Sequence, residues 1–308
     1  MLAEHGAQAA PRTDRWSYDS VVTGRPWRAI GIFLALTICL DAPFWVIVNA
    51  TQTINAAYIF GMMWMPAIAA FLTCRILGRP VRSLGLGTWN GRFVLIAYLI
   101  PITYCLVASL GTWLFGFGGF PNREFVGQTA ASFGIGGAPD WVVIAMFVVL
   151  TGTTGMLAGV ATAAGEEIGW RGFLVPELAK VLPFTGVALV SGLIWASWHY
   201  PITGVVYRDA DLPAWFWLLT FTFVAVAISV VQAWLRLKSD SVWPPIFLHA
   251  SHNLWMQSIF FPLTTENDKT KWVAGDLGLA FVVVAAVVAV VFLAKRGELP
   301  NSVDAQRA

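Results

Sequence analysis

Charged side chains are scarce in this chain of 308 residues, and their scarcity excludes whole classes of protein. Lys, Arg, Asp and Glu make up 12% of the residues, whereas a soluble domain carries about 25% and this chain is 57% hydrophobic. A formal net charge of only +2 argues against nucleic-acid binding, which needs clustered basic side chains. The composition instead predicts an all-α, polytopic membrane protein embedded in a lipid bilayer.

Cysteine is equally sparse. The three cysteines all lie in apolar runs, and their odd number without paired spacing excludes a disulfide framework and a cysteine-based zinc motif. Residues 1–28 are polar, carry four arginines and lack the short apolar core and cleavage site of a signal peptide. This segment is therefore expected to be a cytoplasmic tail.

Eight apolar runs are long enough to cross a hydrocarbon core about 30 Å thick as helices. They comprise residues 29–50, 56–76, 93–116, 141–165, 184–206, 214–235, 243–262 and 273–294. With the N-terminus inside, 15 of the 19 lysines and arginines fall on the inner segments, as the positive-inside rule requires. The sequence predicts one membrane domain over 29–294, a cytoplasmic C-terminal tail at 295–308 and, from its arginine usage, a bacterial inner (plasma) membrane.

Two of these runs differ from simple spans. The first contains Asp41 two residues before a proline, where we expect a kink and a carboxylate that caps the following helix rather than a functional group. The fourth is rich in small residues. Gly155 with Gly159, and Gly165 with Gly169, each form a small-xxx-small pair that lets another helix approach closely.

The fourth run ends in the polar sequence EEIGWR, residues 166–171. On a helix, Glu167 and Arg171 stand one turn apart and can pair, whereas Glu166 points about 100° away from Glu167. Arg171 would then neutralise Glu167 and leave Glu166 available as a general base. The alternative is a helix end that is solvated at the cytoplasmic interface.

Two later runs each carry a histidine with a second functional residue one turn away. The indole of Trp195 can wall the imidazole of His199, four residues further on. His249 and Asn253 share a face and could donate hydrogen bonds to one oxyanion, whereas His252 lies off that line. The alternative for each pair is a polar contact between helices. Because an ionisable group in a membrane costs about 2.5–3.5 kcal/mol, the three groups together favour one buried site formed by the fourth, fifth and seventh runs.

These residues resemble the motifs of the CAAX-processing and bacteriocin-processing (CPBP, or Abi) family of intramembrane proteases, which read EExxxR, FxxxH and HxxxN on successive helices. The matching stretches here are Glu166-Glu167-xxx-Arg171, Trp195-xxx-His199 and His249-xxx-Asn253. The likeness covers residues 140–260 and implies a protease core there. It departs from the family at Trp195, where a phenylalanine is usual.

The resemblance implies hydrolysis of a peptide bond in a membrane-associated protein or peptide. Glu166 and His199 would activate the attacking water, and His249 with Asn253 would stabilise the tetrahedral oxyanion. The supporting residues Glu167, Arg171 and Trp195 would hold the geometry. Counting residues from the cytoplasmic ends of the runs places the site in the cytoplasmic half of the bilayer.

The preferred mechanism needs no cofactor, since the chain has no HExxH zinc motif. Zinc remains the alternative, with Glu166, His199 and His249 as ligands and one open position.

Two non-proteolytic functions are also open: a non-catalytic membrane scaffold or bacteriocin-immunity protein, and a proton-coupled transporter. The transporter predicts repeated halves, and no internal repeat is present. The sequence carries no signal for prenyl specificity or for an oligomeric state.

Overall fold

A computed structural model describes residues 26–208 and 211–300, and in these two ranges the chain is helical. The helices are α1 (Pro26–Thr51), α2 (Ala56–Ile76), α3 (Gly91–Leu114), α4 (Arg123–Ser132), α5 (Asp140–Ala179), α6 (Phe184–Val206), α7 (Ala214–Ser239), α8 (Trp243–His252), α9 (Thr270–Val273) and α10 (Leu279–Ala294). Short 3₁₀ turns occupy Val81–Leu84 and Lys295–Glu298. Over the described ranges, extended pairing is limited to one bridge between Gly119 and Thr265.

Six of the helices are long and apolar enough to cross a membrane: α1, α2, α3, α5, α7 and α10 with its 3₁₀ extension. The predicted all-α, polytopic architecture is confirmed at this level. The predicted runs 184–206 and 243–262 correspond to α6 and to α8 with its continuation, which carry histidines and are not among these six. A total of eight spans stays a prediction. Most of the two predicted tails lies outside the described residues.

Helix α5 is 40 residues long, which at 1.5 Å per residue is about twice the thickness of a hydrocarbon core. It does not end near residue 165 but runs on through the EEIGWR sequence. Two π-helical segments interrupt it, at Thr151–Gly155 and Ile168–Leu174. A third π-helical segment, Asn253–Phe260, continues α8. Such segments often occur at functional sites, and two of these three flank the predicted site residues.

The two glycine pairs of α5 each face a neighbouring helix, as their spacing predicts. A Cβ atom on Gly165 would overlap the backbone of α2, and one on Gly169 would lie 2.5 Å from a proline carbon of α2. On the other pair, a Cβ atom on Gly155 would lie 2.9 Å from Leu254 in the segment that continues α8, and one on Gly159 would lie 3.4 Å from Ala250 of α8. Close packing at these glycines holds α5 between α2 and α8, and α6 packs along both α1 and α7.

One sequence expectation is wrong in detail, and two charges lie in unexpected surroundings. Asp41 does not cap a helix, because α1 continues unbroken through it and through the following proline. Arg171 and Arg236, both counted among the charges of inner segments, lie within helices and are fully buried. Arg171 pairs with Glu167 one turn earlier on α5, and Arg236 pairs with Asp240, the residue that directly follows α7.

Candidate active site

The indole of Trp195, on α6, lies where three helices meet. Its Nε1 donates a hydrogen bond to Oε2 of Glu166 on α5 at 2.7 Å. The rings of His199 on α6 and His249 on α8 both stand edge-on to it, with centroids 5.6 Å away. The guanidinium carbon of Arg171 lies 4.6 Å from the ring centroid. Residues from the fourth, fifth and seventh predicted spans are therefore grouped around one side chain.

Glu167 is completely buried and receives three hydrogen bonds at one oxygen. Its Oε1 is 3.0 Å from Nη1 of Arg171, 3.0 Å from Nε2 of Gln232 and 2.8 Å from Nδ1 of His249. Three donors around one oxygen suit an ionised carboxylate, which only accepts hydrogen bonds. Glu167 thereby links α5 to α7 and α8. Arg171 extends the network by donating from Nη2 to the hydroxyl of Ser229 at 2.8 Å.

Glu166 has different surroundings from its neighbour, although it is only 2% exposed. Within the described ranges it accepts one hydrogen bond, from Trp195, and forms no ion pair. The adjacent carboxylates thus differ as the spacing predicts. Glu167 is held by the arginine, and Glu166 keeps an oxygen available to accept a proton.

His199 is fixed both by a hydrogen bond and by aromatic rings. Its Nδ1 is 2.9 Å from the backbone carbonyl oxygen of Trp195. A carbonyl oxygen only accepts, so Nδ1 carries the proton, and the neutral ring has its lone pair on Nε2. The rings of Trp198 and Phe221 stand edge-on at 4.6 and 4.9 Å, so that with Trp195 they enclose the imidazole on three sides.

Asn253 and His252 have separate surroundings. The backbone N–H of Asn253 bonds to the carbonyl of His249, so the turn between them is α-helical and the two residues share a face. The Asn253 side chain is half-buried and accepts or donates no hydrogen bond among the described residues. His252 points away, stacking on Phe281 at 5.1 Å with its Nδ1 4.0 Å from the sulfur of Cys105. It is therefore outside the site.

Four residues of this region were not predicted from the sequence to take part. Ser229 and Gln232 on α7 bond to the buried ion pair, and Asp41 on α1 bonds to Trp198 beside His199. Ser229 and Gln232 lie three residues apart inside an apolar run, on one helix face. Polar side chains at this spacing in a span were the available signal for a buried contact on α7.

The zinc alternative lacks a preformed ligand set in the part of the chain that is described. No three His, Cys, Asp or Glu side chains there are arranged so that they could hold one metal ion. Glu166, His199 and His249 stand around the indole of Trp195, and a nitrogen of each histidine is already hydrogen-bonded within the protein. These hydrogen bonds use Nδ1 of each histidine and leave Nε2 free among the described residues, so zinc binding stays an alternative prediction.

Comparison with known proteins relates this region to one group of enzymes. Residues 141–255 match the family model of the type II CAAX prenyl endopeptidase Rce1-like domain. A curated relative, CAAX prenyl protease 2 from Methanococcus maripaludis, is 23% identical over 173 residues, which make up 54% of this chain and 57% of the relative. The chain therefore spans little more than half of the curated relative that it matches. The family match includes every candidate site residue from Glu166 to Asn253.

Proposed function

We propose that this chain is an intramembrane protease of the CPBP family, which cleaves its substrate with a water molecule activated by Glu166 and His199. The substrate is a membrane-associated protein or peptide. The observation that carries the proposal is the grouping of Glu166, His199 and His249, from three helices, around the indole of Trp195. Ionisable groups gathered inside a membrane protein normally serve a function, because their burial costs free energy.

The proposed reaction begins with proton transfer from water. Glu166 offers a carboxylate oxygen, and His199 offers the Nε2 lone pair left by its Nδ1–H bond to the backbone. The resulting hydroxide attacks the carbonyl carbon of the scissile bond. As the C–N bond breaks, the protonated base returns the proton to the leaving amine. Positioned acid–base groups of this kind contribute about 10²–10⁴-fold to a rate.

His249 and Asn253 are proposed to stabilise the oxyanion that the attack creates. His249 already gives Nδ1–H to Glu167, so donation of a second N–H to the oxyanion requires its protonated form. Asn253 follows one helical turn later, and its amide is not engaged by other described residues. One such donor is worth about 10²–10³-fold in kcat.

Glu167 and Arg171 are proposed to hold this arrangement rather than to react. Both are fully buried, and their pairing leaves no net charge between them. The bond from His249 to Glu167 fixes that ring, and the guanidinium lies over the indole that contacts Glu166. Breaking the pair would disturb several reacting groups at once.

The proposed placement is a bacterial inner membrane, with eight spans, both termini in the cytoplasm and the site in the cytoplasmic half. It is supported by the six long apolar helices and by the packing of α6 and α8 among them. Both histidine-bearing helices lie against spanning neighbours. They are therefore the two further crossings that bring the proposed total to eight.

The deciding experiment compares protein N-termini in membranes from cells that express wild type or Glu166→Gln at matched levels. New N-termini that vanish with the variant would establish proteolysis and name the substrate, including whether it is prenylated. Glu124→Gln, on the exposed face of α4, is the matched control and is expected to retain every cleavage. If a folded, abundant Glu166→Gln changes nothing, the chain is a scaffold and the proposal is wrong.

The same membranes can be used to test whether cleavage requires zinc. Cleavage that continues after treatment with a zinc chelator supports water activated by protein groups alone. Cleavage that is lost and returns with added zinc would instead assign ligand roles to Glu166, His199 and His249.

A further inference from the structure

Asp41 is a carboxylate inside an apolar helix, and the proposed reaction does not use it. It is 0% exposed, and its Oδ2 accepts a hydrogen bond from Nε1 of Trp198 at 2.6 Å. Its other oxygen has no hydrogen-bond partner among the described residues. Burying a carboxylate with only half of its acceptor capacity used costs free energy, so the Asp41–Trp198 contact needs a compensating role.

Trp198 connects this carboxylate to the candidate site. Its ring is edge-on to the neighbouring His199 at 4.6 Å, the shortest ring distance that His199 makes. On another side it meets Trp170 of α5 at 5.8 Å. The N–H bond to Asp41 holds the indole in the orientation in which it stands edge-on to the imidazole.

The two tryptophans beside His199 are held in the same way. Trp195 gives its N–H to Glu166 on α5, and Trp198 gives its N–H to Asp41 on α1. Each of the two tryptophan walls of the imidazole is thus fixed by a carboxylate from a different helix. A displacement of about 1 Å in a reacting group can cost 10²-fold in rate, so fixing these walls has a catalytic consequence.

We propose that Asp41 is a positioning residue of the active site, which holds the indole of Trp198 and thereby the imidazole of His199. The proposal rests on the proposed function, because it assigns His199 a role in the reaction. It predicts that Asp41 acts through the Trp198 N–H, with no contact to substrate.

A second bond between the same helices supplies the matched control. Asn49 on α1 donates from Nδ2 to the carbonyl oxygen of Pro201 on α6 at 2.7 Å. It ties α1 to α6 close to His199 but touches neither tryptophan. Asn49→Ala therefore loosens the helix pair without changing the walls of the imidazole.

The kinetic test uses the substrate identified from the changed N-termini and the full-length protein in detergent or nanodiscs. Asp41→Leu and Trp198→Phe are each expected to lower kcat by about tenfold to a hundredfold with KM little changed. Asp41→Asn keeps an acceptor for the indole and should restore most of kcat. In the Trp198→Phe background, Asp41→Leu should lower kcat no further. Asn49→Ala should retain wild-type kcat.

A spectroscopic test is independent of proteolysis, since the chain has only four histidines. In protein labelled with ¹⁵N-histidine, Asp41→Leu is expected to shift the ring signals of His199, assigned with His199→Gln, and to leave those of His252 in place. Asn49→Ala should leave the His199 signals unchanged. If the His199 signals shift as expected but no cleaved substrate is found in the membranes, the positioning role stands and the proposed function is overturned.

Two results would overturn the positioning role itself. One is an unchanged kcat and His199 spectrum in folded Asp41→Leu. The other is an effect of Asp41→Leu that is equally large in the Trp198→Phe background. If Asp41→Leu does not fold, Asp41→Asn and Trp198→Phe carry the test. An equal loss of kcat in both variants would then count against the positioning role. Asp41→Asn keeps an acceptor for the indole N–H, whereas Trp198→Phe removes that N–H, so the two losses should differ.

Discussion

The two halves of α5 lie on one continuous helix but have opposite surroundings. Every residue of the buried, inner half (165–178) is buried, whereas in the outer half (140–162) the single buried position is Val143. The apolar 18-residue window by which α5 qualifies as a membrane span is only 6% buried, so the most apolar stretch lies in the exposed half and not in the buried one. The difference shows that apolar character and burial are separate properties here.

Charged and small side chains, in contrast, distinguish the two halves of α5. The buried half carries most of the charged residues of α5: Glu166, Glu167, Arg171 and Glu177. It also carries the glycines that contact α2. Lipid tails accept apolar surface as readily as a protein core does, so helices associate in membranes through small residues and polar contacts. The inner half is buried because it has those residues, and the candidate site forms there as a result.

The largest expected effect comes from breaking the ion pair of the buried half. Arg171→Gln should lower the free energy of unfolding by about 3–5 kcal/mol, because it leaves the Glu167 carboxylate buried without a cation. The midpoint of thermal unfolding in detergent measures this loss. Arg123→Gln, at the exposed start of α4, is the control and should change the midpoint little. A midpoint for Arg171→Gln equal to that of the control would show that the pair does not hold the inner half together.

A smaller loss of stability is expected when a glycine of α5 is replaced, and it should differ between the two halves. A Cβ atom on Gly165 would meet the backbone of α2, so Gly165→Ala is expected to cost about 1–3 kcal/mol in the free energy of unfolding. Gly152, in the outer half, has no atom within 4 Å of the added Cβ. Gly152→Ala should therefore leave the stability unchanged or raise it by up to about 1 kcal/mol, the helix-propensity difference. Equal losses in both variants would remove the distinction between the halves.

The same comparison explains how much the sequence could predict. The Glu167–Arg171 pair, the face shared by His249 and Asn253, and the glycine contacts all follow from helical periodicity, which determines which residues share a face. Periodicity does not determine which helices are neighbours. Gln232 meets Glu167 from 65 residues away in the chain, and no local spacing marks that contact.

Asp41 also shows that local sequence does not identify a distant partner. Its position before a proline predicts a local cap, but the helix continues and the carboxylate finds Trp198, 157 residues later. In both cases, the packing of the bundle selects the partner. A polar residue in a predicted span therefore indicates a buried contact without identifying the helix that supplies it.

The smallest expected effect concerns the one position where this chain departs from the family motif. Trp195→Phe keeps an aromatic wall for His199 and His249 but removes the N–H that Glu166 accepts. A hydrogen bond to a charged group contributes about 1.5–3 kcal/mol, so its loss should lower kcat about tenfold, because Glu166 can then occupy other orientations. Measured kcat for the identified substrate tests this.

Trp113→Phe is the matched control for that substitution. It also removes an indole hydrogen bond, to the hydroxyl of Thr264, but away from the proposed reacting groups. It should lower stability without lowering kcat. If Trp195→Phe retains wild-type kcat, the phenylalanine of the family motif is equivalent here and the indole serves packing alone. If both variants lose activity in proportion to stability, the loss at Trp195 reflects weaker packing and not the lost bond to Glu166.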